Sequence, residues 1–357
     1  MRSRLLWALL AIGPLFAPGY SAAPGAPEEN ETLRQYADKL GIGIGSAIQG
    51  RYWNQDTRFR ETVGKEFNRA VSIIPMRFTE PQQDRFDFGT MDRDIAFAKQ
   101  HNMKLFGTTL IYRNAEAAPW LRFNGFDCGG WSANSLDQAM KKYIQTLLQH
   151  GSDNYFAWDV VNEPTAPGHN RCWSKILGDE EVIAKAFRYA KEAFPNTQLV
   201  LNDTFGQAGL DRPRVDNFLA LIKKLKSQGV PIDVAGTEMH LQAQLLHPDY
   251  IEEFKYFLDG AKKLGVQVHI TELDVYQGPR DAFPDAYANQ KQVYYNVVRT
   301  CVRDPNCTSI TIFGVTDKYS WLRERDDLTD ANPLLFDNNY NKKPAYYGVL
   351  QALKEGR

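Results

Sequence analysis

The sequence predicts an α/β protein with a single domain, a (β/α)8 TIM barrel of eight parallel strands. Three observations favour this fold. Eight short apolar runs recur along the chain, amphipathic stretches with helical spacing separate them, and no Gly/Ser-rich linker or charge block divides the 357 residues. Apolar strands that alternate with helices are typical of a parallel sheet covered by helices. A doubly wound open sheet is the alternative.

The predicted strands are short runs of apolar and β-branched residues. They occupy residues 42–48, 67–74, 105–111, 155–161, 199–202, 234–239, 266–271 and 310–315. Between them, apolar residues recur every third or fourth position, as at Leu136, Met140 and Ile144. This spacing places them on one face of a helix, which can then pack against the sheet.

Composition excludes several classes of protein. With 43% hydrophobic and 24% charged residues, the chain has the make-up of an ordinary globular domain rather than of a disordered, collagen-like or coiled-coil protein. The formal net charge of -1 predicts no basic surface, so we expect no nucleic-acid partner. Most histidines lack cysteine or carboxylate neighbours at ligand spacing, and we predict neither a metal nor a cofactor. We expect a monomer.

The first segment has the features of an export signal. Arg2 and Arg4 precede an apolar run at 5–17, and the small residues Ser21, Ala22 and Ala23 follow it. The run is too short to cross a membrane, which takes about 20 residues. We therefore predict a cleaved signal peptide at 1–23, a secreted protein (extracellular or periplasmic) and a folded domain at 24–357. An uncleaved anchor is the alternative.

Four cysteines remain after this segment: Cys128, Cys172, Cys301 and Cys307. An exported protein with an even number of cysteines favours disulfides over free thiols. Four cysteines allow three pairings, and the sequence alone does not choose among them. Cys301 and Cys307 are close enough in sequence to join a helix end to the next strand, which would leave Cys128 with Cys172.

Ionisable residues cluster at three predicted strand ends. Glu163 follows the fourth strand, Glu238 and His240 end the sixth, and Glu272 and Asp274 end the seventh. Because strand side chains alternate between faces, the members of each two-residue pair point the same way. The carboxyl ends of the strands are where barrel enzymes carry their chemistry. Two carboxyl groups on opposite sides of such a mouth suit glycosidic cleavage, with one as acid and the other as nucleophile or base. Solvated rim charges are the alternative.

At this point the sequence resembles glycoside hydrolase family 10, the retaining endo-β-1,4-xylanases. The matching segments are Trp-Asp-Val-Val-Asn-Glu at 158–163, Ile-Thr-Glu-Leu-Asp at 270–274, Asp-Lys-Tyr-Ser-Trp at 317–321 and Lys-Pro-Ala-Tyr at 343–346. The resemblance implies that Glu163 is the acid/base and Glu272 the nucleophile. It further implies that Asn162, His240 and Asp274 support them, and that Cys301 and Cys307 form a disulfide.

The chain departs from the family at positions that bind sugar. The second-strand motif Pro-Glu-Asn-Glu-Met-Lys-Trp is replaced by residues 72–78, and the third-strand histidines and tryptophan by Thr108, Tyr112 and Arg113. Glu238 stands where the family has Gln, and it is either protonated or paired with Arg113 or Arg77. The resemblance implies substrate contacts at these sites: Thr108, Tyr112, Arg77, Glu238, Phe313 and Trp321.

Three functions remain open at this stage. The first is a secreted endo-1,4-β-xylanase that acts on a β-linked polysaccharide or oligosaccharide, xylan above all. The second keeps the retaining mechanism but acts on short or non-xylan β-glycosides, because the strand ends that bind sugar are altered. The third is a carbohydrate-binding barrel without turnover.

Overall fold

The computed structural model describes residues 31–48, 50–112, 118–121, 130–166, 172–277, 285–325 and 331–357. The predicted signal segment 1–23, Arg113 and Cys128 lie outside these residues. Everything below concerns the unit Thr32–Arg357.

The described residues contain nine strands in one sheet. They are β1 (Gly43–Ile48), β2 (Arg69–Ile73), β3 (Lys104–Thr108), β4 (Ile111–Tyr112), β5 (Tyr155–Asn162), β6 (Gln198–Thr204), β7 (Val234–Gln242), β8 (Gln267–Tyr276) and β9 (Cys307–Ile312). Eight of them follow one another around a ring of parallel pairs, which a direct β3–β5 pairing closes. The short strand β4 lies beside the end of β5. The predicted (β/α)8 barrel is confirmed.

Helices cover the outside of the ring. In the described residues they are α1 (Leu33–Leu40), α2 (Gly50–Trp53), α3 (Thr57–Glu66), α4 (Met76–Thr79), α5 (Gly89–Gln100), α6 (Ala133–Gly151), α7 (Cys172–Leu177), α8 (Asp179–Ala193), α9 (Arg212–Ser227), α10 (Tyr250–Lys263), α11 (Ala286–Arg303) and α12 (Pro344–Glu355). Their first turns carry the expected signals: Ser132 caps α6, and Asp211 caps α9 just before Pro213. Such caps satisfy N–H groups that have no partner within the helix.

Two apolar cores hold the barrel together. The larger one lies between strands and helices, and contains the buried face predicted for α6 together with the buried residues of α9. The smaller one fills the interior of the ring with alternate residues from six strands: Ala47, Val71, Phe106, Ala157, Val200 and Val234. Because it closes the interior, the barrel is a packed core, and polar groups gather above it at the carboxyl ends of the strands.

One predicted strand is interrupted. Residues 105–111 were expected to be continuous, but β3 ends at Thr108 and pairing resumes at Ile111. The neighbouring strand β2 ends at Ile73, so the chain beyond Thr108 has a strand partner on one side only. Leu110 N–H accordingly donates to the carbonyl oxygen of Asp159 on β5, at 2.9 Å. The turn brings Tyr112 to the rim, beside the end of β5.

The predicted disulfide between Cys301 and Cys307 is present. It joins the end of α11 to the start of β9, with the two Cα atoms 5.2 Å apart. The second pairing, Cys128 with Cys172, stays a prediction, since Cys128 lies outside the described residues. Within the described part of the chain, no helix has the length and apolar character of a membrane span.

Candidate active site

Glu163 stands directly after β5, in a backbone conformation that few residues adopt. Its φ is +49°, and its N–H donates to the carbonyl oxygen of Asn202 on β6 at 2.8 Å. A non-glycine residue in this left-handed region is strained, and such residues often mark functional sites. The bond to β6 holds the turn in place, so the carboxyl group projects from the strand end.

The surroundings of Glu163 favour its neutral form. Burial raises its pKa to about 6, and the negative charge of Glu272 acts in the same direction. The Tyr112 hydroxyl donates to Glu163 Oε1 at 3.2 Å and opposes this shift, because it stabilises the ionised form. A carboxyl group with a pKa near 6 carries a proton through much of the mildly acidic range.

Glu272 lies across the same mouth of the barrel, on β8, and it contacts a histidine. His240 Nε2 is 3.0 Å from Glu272 Oε2, and His240 Nδ1 is 3.0 Å from Asp274 Oδ2. Trp321 Nε1 also donates to Asp274 Oδ2, at 2.8 Å. The expected alternation is confirmed: Glu272 and Asp274 share a face, and Leu273 between them is buried on the other side.

His240 carries a positive charge in this arrangement. Burial would lower its pKa, but the charge and hydrogen bond of Asp274 and those of Glu272 outweigh that effect and raise the pKa well above its ordinary value. Both ring nitrogens face carboxylate oxygens, so both donate. The imidazolium therefore links Asp274 to Glu272 and fixes the Glu272 carboxylate in position.

A row of hydrogen bonds centred on the Asn202 side chain connects β5, β6, β7 and β8 beside the site. Asn202 Nδ2 donates to Asn162 Oδ1 at 2.7 Å and to Glu238 Oε1 at 2.9 Å, while Thr271 Oγ1 donates to Asn202 Oδ1 at 2.6 Å. The row depends on Gly236, because a Cβ there would lie 2.4 Å from Asn202 Oδ1. The Asn162 carbonyl oxygen thus accepts from Asn202, and its amide group is left to donate into the cleft.

The sequence did not indicate a role for Thr271. Strict alternation from Glu272 would turn it toward the helices, but the register between β7 and β8 slips at this point: Thr237 pairs with Ile270 and Glu238 pairs with Glu272. Thr271 is the extra residue of a β-bulge, so its side chain reaches Asn202 inside the barrel. The sequence of β8 alone does not predict such a bulge, because the bulge depends on how β8 pairs with β7.

Glu238 faces the same volume from β7. Its side chain is 5% exposed, its Oε2 is 3.9 Å from His240 Nε2, and burial, followed by the charge of Glu272, raises its pKa well above the ordinary value. Ligand atoms of Glu238, His240 and Glu272 lie within 4.8 Å of one another. Since a hydrogen bond already joins His240 directly to Glu272, we interpret this cluster as a proton-sharing group.

The two arginines considered as partners of Glu238 lie elsewhere or outside the described residues. Arg77 is in α4, with its guanidinium carbon 4.7 Å from the centre of the Phe78 ring. Arg113 is not among the described residues. The described hydrogen-bond and ion-pair contacts of Glu238 go to Asn202 and His240. Of the two expectations for Glu238, the protonated carboxyl group is the one that its surroundings favour.

Thr108 contacts a carboxyl group that the sequence did not single out. Its hydroxyl donates to Asp159 Oδ2 at 3.0 Å, beneath the cleft. Asp159 is fully buried, Oδ1 has no hydrogen-bond partner among the described residues, and burial raises its pKa well above the ordinary value despite the Thr108 bond. Asp159 is therefore a neutral acid in the floor. Sugar contact by Thr108 itself stays a prediction.

Aromatic rings lie near His240, on the Glu272 side of the site. The centres of the Phe313 and Trp321 rings lie 5.4 and 5.0 Å from that of His240. Trp321, His240 and Asp274 line a cavity of about 310 Å³ together with Tyr276 and Gln242. A cavity of this size can hold a sugar residue. The cavity borders His240 and Asp274, which hold Glu272, and the site pairs that held carboxyl group with Glu163, whose pKa is raised, a combination that suits cleavage of a glycosidic bond.

The comparisons with known proteins agree with this chemistry. The chain is 31% identical to endo-1,4-beta-xylanase B of Thermotoga neapolitana over 333 residues, which cover 90% of this chain and 92% of that protein. Native xylanase 10B from Thermotoga maritima superposes with a TM-score of 0.80 at 30% identity, covering 91% of this chain and 98% of that one. Xylanase 10B from Thermotoga petrophila, solved in complex with xylobiose, gives 0.80 at 31%, covering 92% and 99%.

The family assignment rests on a match along almost the whole described unit. The sequence profile of glycosyl hydrolase family 10 matches residues 32–352. This range includes the nine described strands and all three glutamates of the site, Glu163, Glu238 and Glu272. The chain belongs to glycosyl hydrolase family 10.

Proposed function

We propose that this protein is a retaining endo-1,4-β-xylanase. The observation that carries the proposal is the unequal pair of carboxyl groups: Glu163 with a pKa of about 6, and Glu272 hydrogen-bonded to an imidazolium. Retaining cleavage needs one carboxyl group as acid and the other as nucleophile. The named activity of the Thermotoga relatives supports xylan as the substrate.

The reaction proceeds in two displacements. In the first, a carboxylate oxygen of Glu272 attacks the anomeric carbon while Glu163 transfers its proton to the leaving oxygen, which gives a glycosyl-enzyme ester and a shortened chain. In the second, Glu163, now ionised, takes a proton from water as that water attacks the same carbon. The Glu272 ester breaks, and both carboxyl groups return to their starting states.

Two residues position these groups. His240, held by Asp274, donates to Glu272 Oε2, so one oxygen of the nucleophile is occupied and the other is free to attack. Asn162, whose carbonyl oxygen accepts from Asn202, presents its amide hydrogens to the 2-hydroxyl of the sugar that is cleaved. A hydrogen bond to that hydroxyl strengthens in the oxocarbenium-like transition state and lowers the barrier.

The test is release of reducing sugar from xylan, together with the anomeric form of the first product. Proton NMR of the first turnovers should show the β anomer before mutarotation. Release of the α anomer would contradict the retaining mechanism, and binding to xylan without release of sugar at any pH would indicate a carbohydrate-binding barrel.

The altered sugar-facing strand ends support a second candidate, the same mechanism on a β-glucan. Ile73 and Phe313, at the ends of β2 and β9, pack against the inner apolar core and offer no hydrogen-bonding group to a sugar hydroxyl. A pocket with these side chains discriminates weakly against a hydroxymethyl group, because a difference of that size is worth about 1–3 kcal/mol. The kcat/KM values for aryl β-xylobioside and aryl β-cellobioside separate the candidates, and preference for the cellobioside would establish the second.

We also propose that the protein is exported, with cleavage after Ala23. The basic start, the short apolar run and the small residues that follow it support this proposal. Expression of the full chain in a secreting host should give an extracellular or periplasmic protein whose N-terminal sequence begins at Pro24. Retention of the intact N-terminus in the membrane fraction would indicate an uncleaved anchor.

A further inference from the structure

Glu238 is a third carboxyl group at the cleavage site, and the two-carboxyl mechanism gives it no task. It lies on β7 with its side chain turned into the barrel, almost fully buried. Charged groups face it from every neighbouring strand end: Asp203 on β6, Glu163 after β5, Glu272 on β8 and His240 on its own strand. Three of these four are acids, so an ionised Glu238 would be surrounded largely by like charge.

The hydrogen bonds around Glu238 distinguish its two oxygens. Oε1 accepts from Asn202 Nδ2 at 2.9 Å. Oε2 is 3.9 Å from His240 Nε2, which is beyond hydrogen-bond distance, and that nitrogen already donates to Glu272. Among the described residues Oε2 therefore has no protein donor at hydrogen-bond distance to stabilise a negative charge, whereas a protonated Oε2 can itself donate.

The local charges lead to the same conclusion. His240 supplies one positive charge, and Glu272 with Asp274 already supplies two negative charges through direct contacts with its ring nitrogens. A third carboxylate next to Glu272 would raise the energy of the ionised nucleophile, because like charges in a low-dielectric site repel strongly. Glu238 as an anion would thus be a third carboxylate around the single positive charge of His240, whereas a neutral Glu238 adds no charge.

We propose that Glu238 carries a proton in the working enzyme and acts as a positioning residue, donating a hydrogen bond from Oε2 into the sugar pocket so that it adds no negative charge beside the Glu272 carboxylate that faces the anomeric carbon. Loss of this proton places a second negative charge beside the nucleophile and ends activity at high pH. The burial and neighbouring charges that raise the pKa of Glu238 support this role. The effect of Glu238 on catalysis by Glu272 rests on the retaining hydrolysis proposed above.

The kinetic test follows the fall of kcat/KM at high pH, the alkaline limb of the pH profile. It uses a substrate for which the proton of Glu163 matters little. A dinitrophenyl β-xylobioside needs little protonation of its leaving group, so kcat/KM at alkaline pH reports the nucleophile side. For the wild type we expect kcat/KM to fall about tenfold per pH unit once Glu238 ionises. In Glu238→Gln this limb should disappear, because the amide cannot ionise, so kcat/KM should stay level over the alkaline range in which the wild type loses activity.

The matched control is Asp203→Asn, which neutralises another buried carboxyl group facing the same site. Asp203 Oδ2 accepts from the backbone N–H and the hydroxyl of Thr165, and these two hydrogen bonds oppose the rise in its pKa that burial causes. This variant should keep an alkaline limb, displaced to lower pH, because one of the like charges that raise the pKa of Glu238 is gone. A limb that persists in Glu238→Gln would assign the ionisation to another group, such as His240, and would overturn the proposal.

A direct titration needs no substrate. In protein labelled with carbon-13 at the glutamate side-chain carboxyl, the resonance missing from the spectrum of Glu238→Gln belongs to Glu238. We expect it at the position of a protonated carboxyl group at about pH 6, two units above an ordinary glutamate pKa of about 4.3. An ionised position at that pH would overturn the proposal even in an active enzyme, whereas an inactive protein with a protonated Glu238 would overturn the proposed function alone.

Discussion

Two walls of the cleft, one carrying Glu163 at the end of β5 and the other carrying Glu272 on β8, present the same side chain in different surroundings. Glu163 has one described side-chain hydrogen bond, from Tyr112, and burial together with the charge of Glu272 raises its pKa. Glu272 receives a hydrogen bond from His240, which Asp274 backs from the other side. The difference teaches that the environment, and not the residue type, distinguishes the two glutamates to which the proposed mechanism gives proton donation and nucleophilic attack.

The largest effect should come from removing the nucleophile. Glu272→Ala takes away the atom that attacks the anomeric carbon, so we expect kcat/KM to fall by about 10⁴-fold or more. The loss should be equally severe for good and poor leaving groups, as measured with dinitrophenyl and alkyl β-xylobiosides. Substantial residual turnover would place the nucleophile elsewhere and remove the distinction between the two walls.

Removing the acid should depend on the leaving group. Glu163→Ala should lower kcat/KM for poorly leaving alcohols by about 10²- to 10⁴-fold, because protonation is then missing, and should affect dinitrophenyl glycosides far less. The slope of log(kcat/KM) against leaving-group pKa measures this dependence in wild type and variant. An equal loss for every leaving group would contradict the acid role of Glu163.

The support of the nucleophile should matter less than the nucleophile itself. Asp274→Asn weakens the hold on His240 by removing its negative partner, and a charged hydrogen bond is worth about 1.5–3 kcal/mol, or about 10- to 160-fold in rate. Steady-state kinetics measures the loss, and thermal unfolding serves as the control. A large drop in stability with a proportionate loss of activity would make Asp274 a structural residue.

The smallest expected change is a shift in the pKa of Glu163. In the wild type, kcat/KM on poor leaving groups should decline as the pH rises through about 6, where Glu163 loses its proton. The Tyr112 hydroxyl stabilises the ionised form, so Tyr112→Phe should raise that pKa and move the decline upward by up to about one pH unit.

The pH profile of kcat/KM measures this shift. Tyr189→Phe is the matched control, since the Tyr189 hydroxyl donates to Asp137 on the outer helices at 2.8 Å. A decline that stays in place in Tyr112→Phe would show that the Tyr112 hydroxyl does not act on the acid.

The fold could be predicted from the sequence because its signals are local. Each barrel strand is an apolar run between helices with regular spacing, and the observed strands overlap all eight predicted runs. The interruption after Thr108 was missed, since it depends on where the neighbouring strand β2 ends. The extra residue at Thr271 was missed for a similar reason, because it reflects the register against β7.

The sequence by itself determined the order of strands and helices, the alternation that turns Glu272 and Asp274 to one face, and the carboxyl groups at the strand ends. The tertiary structure alone decided which carboxyl groups of the site have raised pKa values. Glu163, Glu238 and Asp159 owe their raised pKa values to burial and to charges on strands far away in the chain. Electrostatic energy depends on distance and solvent exposure in space, which only the closed barrel fixes.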